Sequence, residues 1–182
     1  MSAQFTEIDY ERSGCVGRLT LGRAKGRELT PAALGELHRA LDLIDRDEDI
    51  RFLVVTGSGQ DFCVGLDPDY ARRTVAAEHG FDRLIEDFLK PFVDFVARLS
   101  TAAEHVIAAV NGPCSAAGLW IVRACEYAVG PEPAATFAER VDELIDTLSG
   151  ERLSPQGLSR PAVRPHPRDP SQVPSPHPSA VR

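Results

Sequence analysis

Residues 105–120 read HVIAAVNGPCSAAGLW, a stretch that predicts a buried strand, a tight turn and a helix with small side chains. The apolar run at 106–110 is too short to cross a membrane and is typical of a parallel strand covered on both faces. The Asn-Gly-Pro sequence at 111–113 favours a turn, because glycine permits positive φ and proline removes a backbone donor.

The residues that follow the turn, 114–118, have almost no side chain. The first N–H groups of a helix lack internal partners and the helix dipole favours negative charge there. These amides could therefore hold a carbonyl oxygen that gains charge. The alternative is structural: small side chains merely let the helix pack closely on the strand. This stretch alone leaves both interpretations open.

A second stretch adds to the first. Residues 52–59, FLVVTGSG, predict another buried strand that ends in a glycine turn, and DFCVGLD follows at 61–67. Together the two stretches resemble the crotonase (enoyl-CoA hydratase/isomerase) superfamily, in which T-G-x-G-x-x-F-C-x-G-x-D precedes V-I-A-A-V-N-G-P at the spacing seen here. The resemblance implies an α/β fold: a crotonase-like (ClpP/crotonase) spiral of β-β-α units over residues 1–150, with an incomplete C-terminal part.

The resemblance also implies an oxyanion hole made of two backbone amides, which would hold the carbonyl of a coenzyme A thioester. These are the N–H of Leu66, which follows Gly65, and the N–H of Ala117. The family has glycine where Ala116 and Ala117 stand. A methyl group narrows the approach of the thioester without closing it, provided that φ stays negative there. Gly65 and Asp67 are expected beside the bound coenzyme A.

The loop between residues 21 and 30 carries the densest group of positive charges in an otherwise acidic chain. Arg23, Lys25 and Arg27 lie in a segment whose backbone, in crotonase relatives, meets the nucleotide end of coenzyme A. Phosphate groups would suit these cations. A solvated loop is the equally weighted alternative.

The usual acid–base groups of the family are expected to be missing. Hydratases of this family add water across a double bond with two glutamates, and counting along the motifs places these positions on Trp120 and Val141. Neither side chain can carry a proton, so ordinary hydratase activity is expected to be very low. Four carboxylates remain as candidate substitutes: Glu78, Glu86, Glu139 and Asp142.

Composition argues against several classes of partner. The formal net charge is −7 over 182 residues, which disfavours nucleic acids and anionic membrane surfaces. No apolar run is long enough to cross a bilayer and the first residues form no signal peptide, so a cytoplasmic protein is expected. The cysteines lack metal-ligand spacing and are predicted to be reduced packing residues, with no metal site: Cys15, Cys63, Cys114 and Cys125.

Outside the two motifs, strands are predicted at 5–8 and 16–21, joined by a hairpin turn. A helix is predicted from Thr30, whose capping hydroxyl is followed by proline and by apolar residues at helical spacing. A further apolar stripe runs from 81 to 99 and is interrupted by Pro91. Core packing and contact with an acyl chain are both open roles for this stripe.

Residues 151–182 hold 8 of the 14 prolines, together with arginines and little apolar periodicity. Such a segment cannot bury enough surface to offset the entropy of ordering, so it is predicted to be a disordered tail. It stands where crotonase relatives have the helices that close the pocket, which implies a crotonase-like part truncated at its C-terminus. Two interpretations of the tail stay open: a functional segment that recruits a partner, and the remnant of a shortened or frame-shifted reading.

The sequence therefore predicts a protein that handles acyl-coenzyme A, with the thioester as substrate and no covalently bound cofactor. The main alternative is a non-catalytic crotonase-like subunit, or a truncated remnant, that acts through contacts with its own or homologous chains. A Clp-type serine peptidase with Ser115 as nucleophile fits poorly, because the only later histidines, His166 and His177, lie in the predicted tail. The acyl group, the reaction and the oligomeric state stay open.

Overall fold

A five-stranded sheet lies at the centre of the computed structural model, which describes residues 5–22, 28–130 and 145. In chain order the elements are β1 (Asp9–Ser13), β2 (Val16–Leu21), β3 (Glu28–Leu29), α1 (Pro31–Ile44), β4 (Phe52–Gly57), β5 (Gly65–Leu66), α2 (Pro68–Val75), α3 (Gly80–Leu84), α4 (Lys90–Leu99), β6 (His105–Ala109), α5 (Ala117–Ala124) and β7 (Tyr127–Val129). A π-helical turn, Ile85–Leu89, joins α3 to α4.

The strands of the large sheet lie in the order β1-β2-β4-β6-β7; β1 and β2 are antiparallel, and the other neighbouring pairs are parallel. A second, two-stranded sheet pairs β3 with β5 in parallel. The chain leaves the large sheet three times and each time ends in a helix. β2 leads to β3 and α1, β4 leads to β5 and α2, and β6 leads to a single bridge at Cys114 and then α5. This order matches the predicted β-β-α units.

Strands β4 and β6 are covered on both faces, as their continuous apolar runs predict. In β4, Leu53 and Val55 belong to the main core, whereas Phe52 and Val54 belong to a smaller cluster on the opposite face. All four side chains are fully buried. Ile145 packs against the smaller cluster. The faces of these strands are therefore filled, and their ends are left to form a site.

Helix α1 begins where the sequence predicts. Thr30 Oγ1 accepts a hydrogen bond from Ala33 N at 3.0 Å, and Pro31 takes the first helical position. The predicted apolar face lies in the main core and consists of Leu34, Leu37, Leu41 and Ile44.

The predicted strand at 5–8 is wrong, because the amides of this segment bind a buried carboxylate on α1 instead of a neighbouring strand. Glu36 is only 6% exposed. Its carboxylate accepts hydrogen bonds from Thr6 N, Glu7 N and Ile8 N. Burial by itself would raise the pKa of Glu36, but these hydrogen bonds outweigh it and hold the pKa below its usual value.

Pro91, which interrupts the predicted apolar stripe, does not break the helix, since the chain stays helical through it. Proline lacks an amide, and its ring crowds the carbonyl one turn earlier. The π-helical turn Ile85–Leu89 lies just before Pro91 and accommodates this crowding by widening the helix. The buried part of the predicted apolar stripe consists of Phe88, Phe92, Phe95 and Leu99.

In the part of the chain that the structure describes, no helix is both long and apolar enough to cross a membrane. The predicted tail, residues 151–182, lies outside the described residues, as does the segment 131–144.

Candidate functional site

Two turns meet at one edge of the large sheet, where β4 and β6 end side by side. Residues 57–66 and 111–118 together are called the turn junction below. Strands β4 and β6 are parallel neighbours with Thr56 opposite Ala109, so the segments that leave them start at the same edge. Thr56 Oγ1 donates to Ala109 O at 2.9 Å and fixes the two strand ends to each other.

The side chain of Asn111 joins the two turns. Its Oδ1 accepts a hydrogen bond from Gly57 N at 3.0 Å, and its Nδ2 donates to Gly59 O and Asp61 O at 3.0 and 3.3 Å. An amide side chain offers an acceptor and two donors, which suits a turn that presents both N–H and C=O groups. The sequence predicts only a turn-forming role for Asn111. Its position directly after a buried strand is the one sequence feature that could have indicated its contacts with the other turn.

Two glycines let the backbones of the turn junction approach closely. A Cβ built on Gly112 would lie 1.7 Å from Gln60 O, and one on Gly118 would lie 2.2 Å from Cys63 O. Both neighbours are main-chain oxygens, which cannot swing aside as the end of a flexible side chain can. Glycine is therefore required at both positions for reasons of space.

Gly65 brings β5 against the start of α5. Its φ is +115°, and a Cβ built on it would lie 2.9 Å from Ala116 Cβ and 3.6 Å from Ala117 N. Leu66 follows Gly65 directly. The two amides predicted to form the oxyanion hole, those of Leu66 and Ala117, therefore lie on adjoining segments.

The ladder between the short strands leaves the amide of Leu66 unused. Leu29 pairs with Leu66, and Asp67 N donates to Leu29 O at 2.9 Å. A residue in a parallel ladder bonds to the two residues that flank its partner. Leu29 therefore bonds to the residues before and after Leu66, and not to Leu66 itself. The Leu66 N–H points to the other side of the ladder.

Ala117 supplies the first amide of helix α5, and the first amides of a helix lack intrahelical partners. The neighbouring amides are bonded inside the protein. Ser115 N donates to Cys63 O at 3.0 Å, and Gly118 N donates to Ser115 O at 2.9 Å. The turn before α5 is thereby fixed on both sides of Ala117.

Ala116, which precedes α5, has φ +46° and ψ −116°. The expectation of negative φ is therefore wrong at this position. Among the described non-glycine residues only His79 shares a positive φ. Such a conformation costs about 1–3 kcal/mol for a residue with a side chain. The strain lies directly beside Ala117, where the family resemblance implies glycine.

The thiols of Cys63 and Cys114 and the hydroxyl of Ser115, all in the turn junction, are not activated as nucleophiles. Burial raises the pKa of the Cys63 thiol to about 11, although a hydrogen bond from the Gly65 amide lowers it in part. Burial also raises the pKa of Cys114. Ser115 Oγ donates to Val64 O at 3.2 Å. Both thiols are therefore neutral near pH 7.

All four cysteines are free thiols, of which Cys63 and Cys125 are buried. Within residues 5–22, 28–130 and 145, no group of three or more histidine, cysteine or acidic side chains could hold a metal ion.

Trp120 lies in α5 and is 61% exposed. Two of the candidate substitute acids, Glu78 and Glu86, have exposed side chains, and Glu86 forms an ion pair with Lys90 one helical turn away. The remaining positions in the acid–base prediction lie outside the described residues: Glu139, Val141 and Asp142.

The predicted contacts to coenzyme A are described only in part. Three predicted phosphate contacts lie outside the described residues: Arg23, Lys25 and Arg27. Gly22, just before them, accepts a hydrogen bond from Ser58 Oγ at 2.7 Å, so this loop starts beside the turn junction. Asp67 caps helix α2, and its Oδ1 accepts from Asp69 N at 2.8 Å.

Comparison with known proteins decides the family. A sequence profile for enoyl-CoA hydratase/isomerase matches residues 11–143. The chain belongs to the enoyl-CoA hydratase/isomerase family. The resemblance to the crotonase superfamily is thereby confirmed.

Among curated relatives of this family member, "Probable enoyl-CoA hydratase 1, peroxisomal" of Arabidopsis thaliana is 31% identical over 156 residues, which cover 85% of this chain and 52% of that protein. Two solved structures share the fold. Pseudomonas aeruginosa PA4980 has a TM-score of 0.63 and 25% identity, covering 71% of this chain and 54% of that one. An enoyl-CoA hydratase/isomerase from Xanthobacter autotrophicus Py2 has a TM-score of 0.60 and 27% identity, covering 70% and 46%. The chain spans about half the length of these relatives.

Proposed function

We propose that this family member binds acyl-coenzyme A thioesters at the turn junction. The amides of Leu66 and Ala117 donate to the thioester carbonyl oxygen and stabilise the negative charge that this oxygen gains when an enolate or a tetrahedral centre forms. Because both donors belong to the backbone, the chemistry depends on how the two segments are held and not on which side chains they carry.

The observation that supports this proposal is the position of Gly65. A Cβ on Gly65 would come within 3.6 Å of Ala117 N, so the segment that carries Leu66 adjoins the first amide of α5. Leu66 N–H faces away from its ladder partner, and Ala117 N–H is the first amide of a helix, which has no partner within that helix. Fixed donors of this kind stabilise developing charge without reorganising during the reaction.

The nucleotide end of coenzyme A is assigned to the loop that starts beside the turn junction. Arg23, Lys25 and Arg27 supply positive charge for its phosphates. Gly65 and Asp67 lie beside the part of the ligand that joins pantetheine to the acyl group. Reversing the charge at Lys25 and Arg27 should weaken binding of every coenzyme A thioester to a similar extent. Unchanged affinity would remove these cations from the proposal.

Ordinary hydratase chemistry is not part of the proposal. The positions of the two family glutamates fall on Trp120 and Val141, neither of which transfers a proton. The full chain should therefore hydrate short enoyl thioesters very slowly. Turnover typical of hydratases would show that the residue assignment is wrong.

A melting screen of the full chain against a panel of acyl-coenzyme A thioesters tests the proposal. A thioester at 100 times its Kd should stabilise the native state by about 2.7 kcal/mol. Ala117→Pro deletes the donor at a helical position where proline is tolerated, and Ala117→Ser keeps it. Stabilisation should be lost in the first variant and kept in the second. If no thioester raises the melting temperature of the unmodified chain, the proposal fails.

A second candidate is a non-catalytic subunit that acts through protein contacts. The observation that favours it is a set of large apolar side chains exposed on the described surface: Val75, Phe81, Leu89, Val93, Leu119 and Trp120. A gain in melting temperature only on mixing with a homologous chain, and none with thioesters, would favour this candidate.

A further inference from the structure

Trp120 is the only tryptophan in the chain, and it is exposed beside the turn junction. It lies on α5, which begins at Ala117. Residues three apart on a helix are neighbours, so Trp120 lies next to Ala117, at the border between the buried side of α5, which holds Ala117, and its exposed side. Helical side chains lean toward the helix N-terminus, so we expect the indole to extend toward the first turn of α5.

The residues that precede α5 leave room for a ligand group beside Trp120. Ser115 and Ala116, which lead into α5, are both exposed and carry small side chains. Gly65 closes the other side, since a Cβ on it would lie 2.9 Å from Ala116 Cβ. A 61% exposed indole is therefore carried within one helical turn of Ala117, whose amide adjoins the segment of Gly65 and Leu66.

We infer that Trp120 determines the acyl specificity of this site and that the site takes acyl groups with a planar aromatic ring attached to the thioester carbonyl. This inference rests on the proposed function. An aryl ring on the carbonyl carbon lies within the reach of the indole while the carbonyl oxygen meets the two amides. Offset stacking of two aromatic rings adds to the affinity gained from buried area alone.

Leu119 supplies a matched control. It lies on the same helix and is 51% exposed, nearly as much as Trp120. Residues two apart do not face each other on a helix, so Leu119 does not share the face of Ala117. Truncating Leu119 removes a comparable exposed apolar side chain without touching the proposed stacking surface.

Two thioesters with the same number of acyl carbon atoms test the inference: benzoyl-coenzyme A, with a planar ring, and cyclohexanecarbonyl-coenzyme A, with a puckered one. Calorimetric titration of the full chain should give tighter binding of the benzoyl thioester by a factor of roughly 2 to 10. The preference should disappear in Trp120→Leu, persist in Trp120→Phe and be unchanged in Leu119→Ala. Because Trp120 is the sole tryptophan, benzoyl-coenzyme A should also change the intrinsic fluorescence of the unmodified chain more than coenzyme A alone does.

The failures of the two proposals are distinguishable. If both thioesters bind and stabilise the chain with equal affinity and no change in fluorescence, Trp120 does not set specificity, and the proposed function survives. Trp120 is equally excluded if Leu119→Ala abolishes the preference as fully as Trp120→Leu does. If neither thioester binds or raises the melting temperature, the proposed function fails and the inference fails with it.

Discussion

The turn junction and the layer formed by α1 and α4 are held together in opposite ways. In the junction, hydrogen bonds run between main-chain groups or from the Asn111 side chain to main-chain groups, and glycines set how near the two segments come. In the helical layer, contacts run between side chains. Phe95 and Leu37 are fully buried in the main core, and Arg98 on α4 donates to Asp42 on α1 and to Asp45, the C-cap of α1.

His38 shows the side-chain character of the helical layer in detail. The carbonyl of Pro91 can only accept, so His38 Nε2 donates to it at 2.9 Å. The other ring nitrogen, Nδ1, then accepts from Arg98 Nη1 at 3.2 Å. A single side chain thus binds one main-chain carbonyl and one guanidinium of α4.

The difference shows how a site built from amides constrains a sequence. The helical layer restricts side-chain volume and polarity, whereas the junction restricts the presence of a Cβ at a few positions. The function proposed for the Leu66 and Ala117 amides would tolerate changes in side chain but not in backbone path. Substitutions in the two regions should therefore respond to different properties of the new residue.

The largest expected effect lies in the helical layer. Phe95→Ala should lower the free energy of unfolding by about 3–5 kcal/mol, because the ring is fully buried and leaves a cavity. Cys114→Ala in the junction should cost less than about 1 kcal/mol, since Cys114 is only half-buried. Urea denaturation measures both. Equal losses would contradict the contrast between the two regions.

Glycine substitution should reverse this order. Gly112→Ala places a methyl group 1.7 Å from Gln60 O, so we expect a loss of about 2–3 kcal/mol in stability. Gly35→Ala on α1 meets no atom within 4 Å and should instead stabilise by about 1 kcal/mol. A tolerated alanine at position 112 would show that the junction relaxes easily.

Glu36 should give the helical layer a pH dependence. Its hydrogen bonds hold its pKa below the unfolded value of about 4.3, so the stability it contributes is present above that pH. As the pH falls through the folded-state pKa, this stability should be lost. Glu36→Gln should cost about 2 kcal/mol at pH 7 and unfold with a weaker pH dependence below pH 4. If the free energy of unfolding depends on pH in the same way in both proteins, Glu36 is not the source of the pH dependence.

The smallest expected effect tests the strain in the junction. Ala116→Gly should stabilise the chain by about 1 kcal/mol, because glycine adopts φ +46° without strain, partly offset by its freedom in the unfolded state. A stability loss measured by thermal unfolding would contradict the strain assigned to Ala116.

The sequence predicted what depends on local patterns. The run at 106–110 indicated a strand buried on both faces, and its observed bounds differ by one residue. The cap at Thr30 follows from a hydroxyl before proline. The likeness of two short motifs placed Leu66 and Ala117 on segments that the structure brings together.

The remaining features depend on partners far away in the chain. Nothing near residues 5–8 indicates that their amides meet Glu36, which is separated from Ile8 by 28 positions. The π-helical turn before Pro91 and the positive φ of Ala116 arise from packing that must satisfy several elements at once. Asn111 has features of both kinds. Its role in the turn could be predicted from local sequence, whereas its hydrogen bonds to the neighbouring turn depend on residues more than 50 positions away.

The central claim is that the amides of Leu66 and Ala117 hold a thioester carbonyl. Infrared difference spectroscopy with a thioester labelled with carbon-13 at the carbonyl observes that bond directly. Two fixed donors polarise the carbonyl more than water does, so its stretching frequency should fall on binding and recover in part in Ala117→Pro. A bound thioester whose carbonyl frequency equals its value in water, with the same result in Ala117→Pro, would contradict the account.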